Sequence, residues 1–132
     1  MSSEHLFAGV HVAHLGTARE FYERLLGRTP DLVPNATEAA WELHDGAWIV
    51  LIEADARAGG AGRPGGALHT LIVGDLDAFL AGARERGIEP GQVEPVGEGM
   101  RQSVVVDPDG NRLKVAGARR SGGGGARQDV SS

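Results

Sequence analysis

Two stretches of the chain repeat one order of hydrophobic and polar positions. In the first, the apolar run around Val10 and Val12 predicts a short strand. Apolar residues then recur at helical spacing, and Gly27 predicts the end of that helix. This apolar face consists of Ala18, Phe21, Tyr22, Leu25 and Leu26. Thr17, followed three residues later by Glu20, predicts a capping box at the start of the helix.

The second stretch gives the same order. Leu68 and the run 70–73 predict a strand, and Asp75 or Asp77 is suited to cap the helix that follows. The apolar face of this helix consists of Leu76, Phe79, Leu80 and Ala83, and Gly87 predicts its end. The segments 12–15 and 73–76 align as the equivalent turns of two diverged repeats.

Each predicted helix precedes two β-type runs that surround an Asp-Gly pair. Asp-Gly between apolar runs favours a hairpin, because the tight turn needs a residue with positive φ. The runs 37–44 and 48–52 flank Asp45-Gly46, and the runs 102–106 and 112–115 flank Asp109-Gly110. The sequence therefore predicts an α+β protein built from two βαβββ modules.

Glycine is concentrated between and after these modules. It makes up 21 of the 132 residues, more than twice the usual ~7%. We predict a first module at residues 1–53, a Gly/Ala-rich linker at 54–67, a second module at 68–116 and a disordered Gly-rich tail at 117–132.

Composition and charge narrow the chemistry. The absence of Cys excludes disulfides, zinc–thiolate sites, iron–sulfur clusters and cysteine nucleophiles. A net charge of −5 repels phosphate backbones, so we expect no nucleic-acid partner. No apolar run approaches the ~20 residues that span a bilayer, and the first residues lack a signal-peptide pattern. We therefore expect no membrane partner and a cytoplasmic location.

Three motifs in order resemble the vicinal oxygen chelate superfamily of glyoxalases, extradiol dioxygenases and bleomycin-resistance proteins. They are Glu-Phe-Tyr-Glu-Arg-Leu-Leu-Gly at 20–27, Val-Gly-Asp-Leu-Asp at 73–77 and Asp-Pro-Asp-Gly-Asn at 107–111. The resemblance covers about residues 6–116. It implies two βαβββ modules whose sheets curve around a cleft, often at the interface of a dimer.

The enzymes of this superfamily hold a divalent metal through four side chains, which the resemblance places at Phe7, Val50, Leu68 and Lys114. None of these side chains offers a lone pair to a divalent metal, so we expect no metal and no other cofactor. Two enzymatic alternatives remain: a displaced metal site of His11, His69 and Glu53, and a metal-free acid–base pair of His11 and Glu42. A slip of one residue in strand register decides whether His69 points into the cleft.

The closest resemblance is to the bleomycin-resistance type, whose members bind a toxic natural product without reacting with it. It implies metal-independent sequestration of a bleomycin-, mitomycin- or enediyne-like antibiotic, or of a similar aromatic or amphipathic molecule, and no catalytic residues. The alternative is a glyoxalase- or dioxygenase-type lyase or isomerase that uses the displaced metal site. A homodimer is expected, with exchange of halves between chains left open.

The candidate ligand-binding residues are Phe7, His11, Trp41, Leu43, Trp48, Val50, Ile52, Leu68, Thr70, Ile72, Arg101, Ser103 and Lys114. For Trp41 and Trp48, stacking on a flat ligand and packing in the core are both open. The acidic net charge slightly favours a cationic ligand, whereas Lys114 favours the opposite.

Overall fold

A computed structural model describes residues 4–54 and 63–118. The first module contains β1 (Leu6–Val12), α1 (Leu15–Leu26), β2 (Leu32–Asn35), β3 (Glu38–His44) and β4 (Ala47–Glu53). The second contains β5 (Leu68–Ile72), α2 (Leu76–Glu85), β6 (Glu94–Pro95), β7 (Met100–Val106) and β8 (Arg112–Ala118). The strand orders β1-β4-β3-β2 and β5-β8-β7-β6 are equivalent, so the predicted repeat of βαβββ is confirmed. Neither α1 nor α2 is long and apolar enough to cross a membrane.

The module boundaries differ slightly from those predicted. Most of the predicted linker (55–62) and of the predicted tail (119–132) lies outside the described residues. However, β8 continues to Ala118, and Gly117 is buried in it. A Cβ atom at Gly117 would come within 2.9 Å of the Leu76 Cβ. This glycine therefore serves the close approach of strand and helix rather than a flexible tail.

The two helices begin at equivalent positions but are capped differently. Asp75 is the N-cap of α2, where its side chain accepts a hydrogen bond from the Ala78 amide at 3.0 Å. At the equivalent position of α1, His14 makes no capping bond, so the capping box predicted at Thr17 is wrong. Instead, Glu53 at the end of β4 accepts a hydrogen bond from the Leu15 amide at 3.0 Å.

One hydrophobic core lies between the helices and the sides of the two sheets that face them. It is continuous across both modules, and its fully buried members include Val12, Leu25, Trp41, Leu51, Leu80, Val105 and Val115. The Trp41 indole donates a hydrogen bond to the Arg28 carbonyl at 2.9 Å, which satisfies its buried N–H group.

The turn at residues 107–111 joins the two modules. Its Asn111 amide donates to the His11 carbonyl at 2.9 Å, and its Asp107 carboxylate accepts from the Tyr22 hydroxyl at 2.9 Å. Asp107 also accepts from the Asn111 side-chain amide at 3.0 Å. These groups are buried, and losing a partner there costs about 1–3 kcal/mol. The motif that marks the second hairpin is therefore also the main polar link between the modules.

Tyr22 gives this link a testable pH dependence. Burial, and then the adjacent Asp107 carboxylate, raise the pKa of Tyr22 above its ordinary value of 10.0. The bond therefore contributes its full stabilisation of the folded state below pH 10. Above pH 10 the tyrosine of the unfolded chain ionises and that of the folded chain does not, so this contribution decreases as the pH rises.

We predict that the stability advantage of the wild type over Tyr22→Phe is constant up to about pH 10 and then falls by about 1.4 kcal/mol per pH unit. Urea unfolding of both proteins at several pH values measures this difference. Tyr22 is the only tyrosine, so tyrosinate absorbance follows the same group directly. An advantage that stays constant up to pH 11 would contradict the prediction.

Candidate ligand-binding site

Each sheet has a second face, turned away from its helix, which we call the open face. Strand register assigns its members, since paired residues on neighbouring strands point to the same side. Phe7 pairs with Trp48, and Thr70 pairs with Lys114. The open face carries several exposed apolar side chains: Phe7 (55% exposed), Leu68 (56%), Ile72 (68%) and Val106 (54%). Isolated apolar residues are normal on protein surfaces, but a group on one face is typical of a binding site.

The structure places most of the predicted ligand-binding residues on this open face. They are Phe7, His11, Trp48, Val50 and Ile52 in the first sheet, and Leu68, Thr70, Ile72 and Lys114 in the second. Their role in binding a ligand stays a prediction.

The other four, Trp41, Leu43, Arg101 and Ser103, lie on the helix-facing side. Trp41 pairs with Ile49 in the core, and the structure gives it the packing role. Arg101 forms an ion pair with Asp77 of α2 at 3.0 Å. Ser103 is fully buried and donates to the Gly91 carbonyl at 2.6 Å. These contacts occupy the Ser103 hydroxyl and the Nη2 atom of Arg101, whereas Arg101 Nε is buried without a hydrogen-bond partner among the described residues.

An aromatic cluster of His5, Phe7 and Trp48 lies at one end of the open face of the first sheet. The rings of Phe7 and Trp48 meet edge to face, with centroids 5.4 Å apart. The Trp48 indole N–H donates to Nδ1 of His5 at 3.0 Å, which fixes the orientation of the indole. His5 was not predicted because it precedes β1, although it lies two residues before Phe7 and so has the same strand parity.

A row of small side chains lies beside the aromatic cluster. Gly9, Val50 and Ala40 are paired across β1, β4 and β3. Val50 and Ala40 are buried although they belong to the open face. The Ile52 side chain packs beside Gly9, on the side opposite the aromatic cluster: a Cβ atom added at Gly9 would lie 3.4 Å from Ile52 Cδ1. On the open face of the first sheet, a row of small side chains therefore lies between the aromatic cluster and Ile52.

The positions that hold a metal in the resembling enzymes do not fit one here. Phe7, Val50 and Leu68 have no lone-pair donor, and Lys114 carries a cationic ammonium. Within residues 4–54 and 63–118, no group of three or more His, Asp or Glu side chains is placed to hold a metal ion.

The two enzymatic alternatives are not assembled either. His69 lies on the helix-facing side and donates from Nε2 to the Gly9 carbonyl at 3.1 Å, so it points away from His11. Glu53 is used in capping α1. His11 and Glu42 share the open face but lie two strands apart, a lateral separation of about 9–10 Å.

We therefore predict that equilibrium dialysis of the wild type against Zn²⁺, Ni²⁺ or Mn²⁺ leaves far less than one metal ion per chain. Elemental analysis after removal of free metal measures the ratio. One ion per chain that is lost in His11→Ala but retained in the control His44→Ala would contradict the prediction and favour a displaced site.

The comparisons with known proteins agree on one family. The sequence model of the Glyoxalase/Bleomycin resistance protein/Dioxygenase superfamily matches residues 4–115. A solved glyoxalase/bleomycin resistance protein from Catenulispora acidiphila DSM 44928 is 40% identical, with a TM-score of 0.76, over 89% of this chain and 100% of that chain. No curated protein matches the chain.

Two further solved structures differ in their described activities. TnmS3, an antibiotic binding protein from Streptomyces sp. CB03234, is 25% identical with a TM-score of 0.67, over 89% of this chain and 98% of that chain. A lactoylglutathione lyase from Agrobacterium tumefaciens has the same fold at 17% identity and a TM-score of 0.66, over 89% of this chain and 95% of that chain. The fold alone therefore does not separate binding proteins from enzymes.

Proposed function

The chain belongs to the glyoxalase/bleomycin resistance protein/dioxygenase superfamily, and from that premise we propose that it binds an aromatic or amphipathic small molecule, of the natural-product antibiotic kind, without a metal. The observation that carries the proposal is the composition of the open face. Apolar and aromatic side chains occupy three of the four positions that would need metal ligands, and the fourth is a lysine. Such a face favours binding by removing the apolar surface of a ligand from water. Because these four positions offer no metal ligands, the face is not suited to polarise a bond of the ligand through a metal ion.

The magnitude of this gain indicates that one sheet is not enough. A flat ligand that buries about 200 Å² of apolar surface on the wall of Phe7 and Trp48 gains about 5 kcal/mol. The loss of free translation and rotation costs an estimated 4–15 kcal/mol. Tight binding therefore needs a second wall on the other side of the ligand.

We infer that a second copy of the chain provides this second wall. The open face of the first sheet carries the carboxylates of Glu38 and Glu42, and that of the second sheet carries the cation of Arg112. A two-fold axis that sets the first sheet of one chain opposite the second sheet of its partner would bring these opposite charges to the two sides of a cleft. It would also cover Leu68 and Ile72.

The binding site is tested by a pair of neighbouring substitutions on β1. Phe7 and Leu6 are both well exposed, but they point to opposite sides of the sheet. A thermal-shift screen against aromatic, glycopeptide and enediyne-type natural products identifies a ligand through its stabilisation of the folded state. We predict that Phe7→Ala weakens the binding of that ligand about tenfold, because an aromatic wall is lost, and that Leu6→Ala changes it less than twofold. Equal effects of the two variants, or no ligand at all, would count against the proposal.

The dimer is tested by sedimentation at low micromolar concentration. We predict a dimer for the wild type and a folded monomer for Ile72→Asp, because this side chain is 68% exposed within the chain and an added charge would have to be buried at the interface. The matched variant Leu6→Asp, on the opposite side of the first sheet, should remain dimeric. A wild type that sediments as a monomer would rule out the dimer.

A further inference from the structure

We propose that Lys114 binds an acidic group of the ligand, so that the ligand is an aromatic molecule that carries a carboxylate, sulfonate, phosphate or ionised phenol. This inference rests on the proposed function, because it assigns a ligand class to the same open face. It goes against the net charge of −5, which by itself favours a cationic ligand.

The position of Lys114 is central on the open face of the second sheet. It pairs with Thr70 on one side and Val104 on the other. The rows before and after it contribute the exposed Leu68 and Ile72. Lys114 is also the only lysine of the sequence, although the chain has 13 basic residues. A single ammonium group therefore lies within a mostly apolar surface.

Lys114 has no electrostatic partner among the described residues of its own chain. Its side chain is half-buried, yet it makes no hydrogen bond or ion pair with any residue in 4–54 or 63–118. By contrast, Arg19 forms an ion pair with Glu23 within α1, Arg28 with Asp31 in the loop that follows α1, and Arg101 with Asp77 of α2. Partial removal of an ammonium from water without a partner is unfavourable, so an incoming anion compensates for a cost that the chain already bears.

The carboxylates of the open face are not placed to supply that anion. Within one chain, Glu38 and Glu42 are on β3, which is separated from β8 by β4, β1 and β5. Glu94 is on β6, two strands from β8 in the same sheet, a lateral separation of about 9–10 Å. Glu42 also accepts a hydrogen bond from the Gly46 amide at 2.9 Å. Around Lys114, the nearby polar open-face groups are the cation of Arg112, the hydroxyl of Thr70 and the neutral amide of Gln102. Charges farther than about 8 Å are screened at physiological ionic strength, so the local positive field outweighs the net negative charge.

Two fluorescent probes with the same ring system separate the acidic group from the rings. Anilinonaphthalene sulfonate carries an anion, whereas N-phenylnaphthylamine is neutral. Both are titrated into the wild type, into Lys114→Met, which keeps the length of the side chain without its charge, and into Lys114→Arg. The control Arg84→Met removes one positive charge from the exposed surface of α2.

We expect Lys114→Met to weaken the binding of the sulfonate about tenfold and to change that of the neutral probe less than twofold. Lys114→Arg should retain most of the sulfonate affinity, and Arg84→Met should retain all of it.

If both probes bind the wild type and Lys114→Met affects them equally or not at all, the assignment of Lys114 is overturned while the proposed function stands. If neither probe binds the wild type, the proposed function itself fails. If Lys114→Met instead dissociates the dimer in sedimentation, Lys114 pairs with the partner subunit, and the assignment is again overturned.

Discussion

Each sheet of this protein has two faces, and residues 4–54 and 63–118 provide one helix per module to cover them. Side chains alternate along a strand, so the residues that pack under α1 and α2 leave an equal number on the other side. Here that other side includes Phe7, Leu68 and Ile72, all more than half exposed. The open face is therefore a direct consequence of the βαβββ repeat, and its chemistry depends on which residues fall at alternate positions.

The polar link between the modules determines how the two open faces meet. Asn111 and His69 bind the backbone of β1, and Asp107 binds Tyr22 of α1. The edge strands of the two sheets are therefore held side by side within one chain. These contacts hold the two sheets in one arrangement before a ligand binds. The entropic cost of ordering the open face on binding is therefore small.

The order of the elements could be predicted from the sequence because each signal is local. Helical spacing, the Asp75 cap and the two Asp-Gly turns all act within a few residues. The side of the sheet to which each side chain points was harder to predict, because it depends on the strand register. The observed register pairs Glu42 with Trp48, which puts Trp41 in the core and Trp48 on the open face. The capping of α1 by Glu53 could not be predicted, since those residues are 38 positions apart. For the nine predicted residues that the structure places on the open face, alternation along the strands from Phe7, Val50, Leu68 and Lys114, the four positions implied by the resemblance, was sufficient.

The claim that an apolar open face binds small molecules without a metal is tested most directly by a crystal structure of the chain with bound anilinonaphthalene sulfonate. Our account predicts that the naphthalene ring packs against Phe7 and Trp48, with a sheet of the partner subunit on its other side. A ring bound between the helices, or a divalent ion held by side chains of the open face, would contradict it.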